Sequence, residues 1–346
     1  MSLRPLRAIA ALAAVLAVAS AAPGDAAAAV TQPPQPKHGP GGSDYPHAGW
    51  RVSSGGTGAD AWYAFEPTRP RPASAPLAVV MHGYDEFSGY DQMYGLIRHT
   101  VRKGNVVIYP RWQTDVAAPC PGPFDIEPCM TSAASGIRGA ISYLRARPRA
   151  RVQPQLRRTS WFGFSFGGII TANLANRYRR LRLPKPRAIF LDDPHDGGFA
   201  QLGFDEPAVD DSLAGIPRTV KLQCHSGADG VISEPPKRDA SCNAIFPKLR
   251  HIPTRNKNLV LTQTDTHGRP LLFSEHGVCA ARKGAANAYD WNFCWKVWDA
   301  LRSCAYAGAD CRYALGNTRA HRSMGRWSDG VPVRPLKIQD AAPIRP

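Results

Sequence analysis

A serine stands between two glycines at Gly163-Phe164-Ser165-Phe166-Gly167, after an apolar aromatic pair (Trp161, Phe162) and before helix-spaced apolar residues (Ile169, Ile170, Leu174, Tyr178). This context puts Ser165 on a sharp strand-to-helix turn with its hydroxyl exposed. Glycine on either side leaves room for the bend and for the helix to pass close to the strand. A serine hydroxyl is a weak nucleophile at neutral pH, so it needs a base, a group to orient that base, and donors for a developing oxyanion. For a serine on such a turn, the acid and then the histidine follow in the chain. Asp229, in Gly227-Ala228-Asp229-Gly230-Val231, is the expected acid, and His267, in Asp265-Thr266-His267-Gly268, the expected base. Asp193 is the competing acid and His276 the competing base, while His225 is a candidate lining residue. His195, between Asp193 and Asp196, lacks the second histidine at helical spacing that a metal site would show. The backbone N–H groups of Tyr84 and Phe166 are the expected oxyanion donors. His82, Tyr84, Phe87 and Trp112 are the expected substrate-lining residues, with Tyr90 on the same rim.

These side chains need elements to carry them. Trp50 to Phe65 alternates loosely and reads as one or two opening strands. Compact apolar runs follow at Pro76–Met81, Gly104–Tyr109, Arg158–Phe164, Ala188–Leu191, Thr219–Leu222 and Leu259–Thr262. Helical spacing marks 132–146 (Ile137, Ile141, Leu144) and Tyr289–Cys304, where Trp291, Trp295, Trp298 and Leu301 share one face. Short apolar strands alternating with helices predict an α/β architecture, a mostly parallel sheet covered on both faces. In such sheets function gathers at the carboxyl ends of the strands, which is where the polar, turn-rich clusters of this chain fall.

The elbow pentapeptide, with His82-Gly83 before it and Asp229 and His267 after it, resembles the α/β-hydrolase superfamily over roughly residues 55 to 305. Within it the chain is similar to the dienelactone-hydrolase-like and polyester-hydrolase-like esterases. Gly83-Tyr84 is similar to their oxyanion tyrosine after a glycine, and Asp229 through Pro235 to their acid loop. Phe166 stands where polyester hydrolases usually have methionine, and Ser165 where dienelactone enzymes have cysteine. The tail from Ala314 to Gly330 looks like the C-terminal segment of secreted bacterial members. The resemblance implies an α/β-hydrolase fold without a large lid domain, and a serine esterase that forms an acyl-enzyme on Ser165 without metal or organic cofactor. A peptidase or amidase of the same fold, and a non-catalytic binding protein that kept it, stay open as alternatives.

The first residues read as a secretory signal: Arg4 and Arg7, an apolar run from Ala8 to Val18, and a small-x-small site at Ala19-Ser20-Ala21, with cleavage possible as late as about residue 29. Residues 30–48 are rich in proline and glycine and read as a leader outside the core, and 49–346 as one domain with a disulfide-stapled C-terminal segment. Eight cysteines behind such a signal predict disulfides. Nearest-neighbour pairing gives 120–129, 224–242, 279–294 and 304–311. The formal net charge is +16, with arginine-rich stretches at 145–158 and 177–187. These read as solvated helix ends, with weak association with anionic surfaces as the functional alternative. The basic runs lack interleaved aromatics, and no nucleic-acid-binding motif is present. The expected protein is a secreted or periplasmic monomer acting on a small or polymeric ester.

Overall fold

The computed structural model describes residues 29–84, 86, 89–115, 126–197, 208–233 and 237–346. The expected signal peptide, Phe87, Cys120 and Pro235 lie outside them. One nine-stranded sheet organises the chain, in the order β1-β2-β4-β3-β5-β6-β7-β8-β9. The strands are β1 (Gly49–Gly55), β2 (Trp62–Thr68), β3 (Ser74–Met81), β4 (Val106–Pro110), β5 (Gln153–Phe164), β6 (Pro186–Asp192), β7 (Lys221–Gly227), β8 (Lys257–Thr262) and β9 (Lys337–Gln339). From β4 through β8 all neighbours are parallel. β1 and β2 form an antiparallel pair, β2 joins β4 antiparallel, and β9 closes the far edge antiparallel to β8.

The parallel strands read as unbroken apolar runs because both faces are covered. Leu77 to Met81 in β3 are fully buried, and every residue of β8 is buried. The helices are α1 (Tyr94–Arg102), α2 (Ile126–Arg145), α3 (Phe166–Asn176), the short α4 (Lys237–Ala240) and α5 (Cys242–Ile245), α6 (Trp295–Ala307), and the short α7 (Arg319–Arg322). The chain leaves β3 toward β4 on one side and then returns past β3 to β5 on the other. With right-handed crossovers, that reversal sends α1 and α2 to opposite faces. One core layer therefore packs α2 and α3 against the sheet, through Ile137, Leu144, Ile169 and Leu174. The other packs α1 and α6, through Leu96, Val101, Trp298 and Leu301.

The predicted tryptophan-faced helix forms, with one irregularity: a π-turn at Asp290–Cys294 precedes α6. Gly308, at φ 68°, ends α6 in the left-handed conformation that glycine adopts without a Cβ penalty. Three of the expected disulfides are present, Cys224–Cys242, Cys279–Cys294 and Cys304–Cys311, with Cα separations of 5.7, 5.6 and 4.8 Å.

Residues 30–48 depart from the leader expected outside the core. They form an ordered strap lying across α6 and the C-terminal segment. The Trp291 indole N–H donates to the Pro33 carbonyl at 3.0 Å, Gly41 N–H donates to Asp299 Oδ2 at 2.9 Å, and Tyr45 Oη lies 3.0 Å from His99 Nδ1. Proline-rich composition removes backbone donors from the strap, whose internal hydrogen bonds, such as Ser43 N–H to the Pro36 carbonyl at 2.8 Å, close only local turns. It does not show that α6 and its neighbours supply the partners. No helix among the described residues is long and apolar enough to cross a membrane.

Candidate active site

Ser165 ends β5 and begins α3, with φ 53° and ψ −124°. A non-glycine residue there is strained by roughly 1–3 kcal/mol, and the surroundings must hold it. They do so tightly: Ser165 N–H donates to the Asp192 carbonyl at 2.8 Å. A Cβ on Gly163 would collide with the Gly167 carbonyl and the Thr171 hydroxyl, and one on Gly167 with the His82 carbonyl. The flanking glycines are therefore required by close approach.

The groups that reach Ser165 differ from those expected. Ser165 Oγ donates to His276 Nε2 at 2.8 Å, and His276 Nδ1 donates to Asp193 Oδ2 at 2.8 Å. Asp193 follows β6 at φ 43°, pinned by its N–H to the His225 carbonyl at 2.9 Å. Its side chain is fully buried, and Oδ1 has no hydrogen-bond partner among the described residues. The His276 ring is 40% exposed and rests on the Phe164 ring, centroids 5.0 Å apart.

His267 and Asp229 are placed elsewhere. After β8 the chain swings outward and returns, with Asp265 and Leu272 pairing backbone to backbone at the neck. His267 rides on that excursion, where Nε2 bonds Asp329 at 2.7 Å. The Asp265 carboxylate fixes the excursion by accepting from His267 N–H, Arg334 N–H and the Trp327 indole. The returning limb then delivers His276. Ser274 accepts from Asp229 N–H at 2.9 Å and from Ala228 N–H at 3.0 Å, and Cys279 is bridged to Cys294. Asp229 turns its carboxylate to the Thr264 hydroxyl, so it braces the histidine limb and does not contact the histidine. Counting residues from the end of β8 points to His267; the outward loop moves the arriving histidine nine positions on. The available signals were Asp192-Asp193-Pro194 closing an apolar strand, and Cys279 staple-ready just past His276.

The expected lining residues also change place. Trp112, at φ 34°, is fully buried, stacked between Phe166 (5.0 Å) and His82 (4.6 Å). His82 is buried with its ring nitrogens 2.7 Å from the Gly83 and Arg111 carbonyls. Burial pulls its pKa down to about 4, so the neutral ring donates to one of the two. Both residues therefore lie beneath the Gly83–Tyr84 loop and not on its rim. Tyr90 packs edge-on against Tyr63 and Phe65. Tyr84 is half-buried, its ring 5.9 Å from Phe166. Phe166 N–H opens α3, where the first N–H groups of a helix have no intrahelical acceptor.

A second carboxylate–imidazole pair lies directly behind the first. Asp192 Oδ1 and His225 Nδ1 are 2.7 Å apart, His225 Nε2 is 2.9 Å from Thr262 Oγ1, and Thr262 Oγ1 is 2.6 Å from Ser274 Oγ. All four are fully buried. Burial, reinforced by the neighbouring Asp193, pushes the Asp192 carboxyl well above the usual range, and burial draws His225 down to about 4. Cys279 approaches the same two side chains. Its sulfur is committed to the disulfide with Cys294, so the trio does not fit a metal ion.

No protein-family model matches the sequence, and no curated protein matches it. Among solved structures the chain is similar to an esterase from Rhizomucor miehei, at 14% identity and a TM-score of 0.52, over 75% of this chain and 84% of that one. A mutant of the esterase rPPE matches at 14% identity and a TM-score of 0.45, over 78% of this chain and 84% of that one. With the order of the parallel strands and the serine at the end of β5, the first of these likenesses establishes that the chain has the α/β-hydrolase fold.

Proposed function

We propose that the protein is a serine hydrolase of carboxylic esters in which Ser165 is the nucleophile, His276 the general base and Asp193 the group that orients it. The observation that carries this reading is the unbroken relay from Ser165 Oγ through His276 to Asp193, at 2.8 Å in each link. As Oγ attacks the ester carbonyl, its proton passes to His276 Nε2. Asp193, bonded to Nδ1, holds the ring in the tautomer that leaves Nε2 free to accept and stabilises the imidazolium that forms. The same proton then passes to the departing alkoxide, leaving an acyl group on Ser165. Water, activated by His276, releases the acid. The carbonyl oxygen, negative in the tetrahedral intermediate, lies against the Phe166 and Tyr84 N–H groups, in line with the positive end of α3. Fold likeness to an esterase and the three disulfides support a secreted ester hydrolase.

A fluorophosphonate probe labels the intact protein and leaves Ser165→Ala unlabelled. A short-to-long series of p-nitrophenyl esters is hydrolysed faster than one matched amide. Equal labelling of the variant, or preference for the amide, overturns the proposal.

A further inference from the structure

The formal charge of +16 is not spread evenly. From residue 128 to residue 191 the chain carries 13 arginines and lysines and no aspartate or glutamate, so this stretch alone holds +13 of it. The fold concentrates that excess further. The segments between α2 and β5 and between α3 and β6 both lie at the amino ends of the parallel strands, opposite Ser165. Arg145, Arg147, Arg149, Arg179, Arg180 and Arg182 are exposed there and form no ion pair among the described residues. The loops entering β7 and β8 extend the row with exposed Arg218, Arg250 and Arg255. Asp211 is an exposed carboxylate among these segments, and Asp210 is already paired with Arg177. A groove of about 670 Å³ crosses this face between the end of α2 and the loop before β6. Its floor is Ile141, Leu156 and Leu183, and Arg138, Arg145 and Arg182 stand over it.

We infer that this face is a docking surface for a linear acidic polysaccharide, which holds the protein with Ser165 pointing away from the polymer. Unpaired guanidinium groups bind carboxylate or sulfate bidentately, and the apolar floor suits the C–H face of a sugar ring. Other polyanions fit less well. The exposed large apolar residues of the described chain, Val52, Leu271, Phe273 and Val331, lie outside these segments, so the face has no anchor for a lipid bilayer. Tyr178 is buried and Tyr143 is engaged by Trp62 and Arg151, so neither offers a platform for stacking bases. The inference is independent of the chemistry at Ser165.

The test is retention on immobilised polygalacturonate and on heparin, with the dissociation constant followed against salt. Arg145→Gln/Arg182→Gln weakens binding at least about tenfold at low salt and flattens the log Kd against log salt slope by about two, one for each lost contact. Arg145→Lys/Arg182→Lys, which keeps the charge, retains most of the affinity. Arg326→Gln/Arg334→Gln, which removes the same charge beside the loop after β8, changes it less than twofold. Equal weakening by both Gln pairs would show a diffuse charge effect and sink the proposal. So would tighter binding to duplex DNA or to phosphatidylserine vesicles than to either polysaccharide.

Discussion

Two aspartate–histidine pairs stand side by side where β6 ends, one completed by His225 of β7 and one by His276 of the limb after β8, and they differ in what surrounds them. In Asp193–His276 the carboxylate is buried but the ring is 40% exposed and points its second nitrogen at a serine hydroxyl. In Asp192–His225 both side chains are fully buried, and the second ring nitrogen meets the Thr262 hydroxyl. The same two functional groups thus form one pair able to exchange a proton with substrate and one sealed from it. Exposure of the ring and the identity of the hydroxyl beyond it separate chemistry from support.

The sharpest way to break that comparison is to remove members of the exposed pair. Ser165→Ala and His276→Ala should each lower kcat by about 10⁴-fold or more, and Asp193→Asn by a comparable factor, because Asn leaves the ring in the wrong tautomer. Steady-state kinetics on a p-nitrophenyl ester reads all three. Retention of more than a tenth of wild-type kcat by His276→Ala would remove that residue from the mechanism.

The sealed pair should act through position. His225→Gln keeps a polar group of similar reach but breaks the line from Asp192 to Ser274, two residues before His276. Misplacing the base should lower kcat by about 10- to 100-fold with little change in KM. The pH profile of the residual activity should keep its shape, since His225 does not handle the transferred proton. A new inflection in that profile would show that the sealed pair titrates during turnover.

Stability against pH should report the buried histidines. His225 is held near 4 by burial, below the usual value for an unfolded histidine, and His82 behaves alike. The unfolded chain therefore binds protons that the folded chain refuses between about pH 6.5 and pH 4. Each such histidine contributes stability that is complete above about pH 6.5 and is lost as pH falls toward 4. For one ring the loss reaches about 3 kcal/mol. Urea unfolding should show this slope in wild type and a slope smaller by about one proton in His225→Gln. Asp290 runs the other way: burial pushes its carboxyl up to about 7, so its contribution falls as pH rises from about 4 to about 7. Asp290→Asn should remove that opposing slope and leave the histidine effect steeper.

The scaffold was legible in the sequence where local pattern decides it. Buried parallel strands such as Leu77–Met81, the glycines around Ser165 and the tryptophan face of α6 announce themselves by composition and spacing. Sequence alone leaves 105 pairings of eight cysteines, and three of the four nearest-neighbour bridges expected are present among the described residues. The partners of Ser165 were not legible, because they depend on how far a loop travels before it returns. Asp265 and Leu272 pair only after the fold has formed; Gly268 and Pro270 between them mark a turn but not how far the chain runs before it returns to the site. The strap at 30–48 was missed for the same reason, since its partners lie on α6 and in the C-terminal segment.

The smallest expected effects fall on the residues that counting favoured. His267 bonds Asp329 across an interface where both side chains are more than a third exposed, and its ring borders Trp327 at 5.9 Å. Solvent and salt screen such a pair, and neither member touches Ser165, His276 or Asp193. His267→Ala should therefore leave kcat/KM within about twofold of wild type, the range of a surface substitution. Asp229→Asn should do slightly more. It keeps the backbone bond to Ser274 but weakens the bond from Thr264, whose hydroxyl also receives Ser274 N–H at 2.8 Å. A loss of about 10³-fold or more in His267→Ala, with His276→Ala near wild type, would reverse the assignment of the base. Parallel losses in both would instead mean that the outward loop and its returning limb move as one unit during turnover.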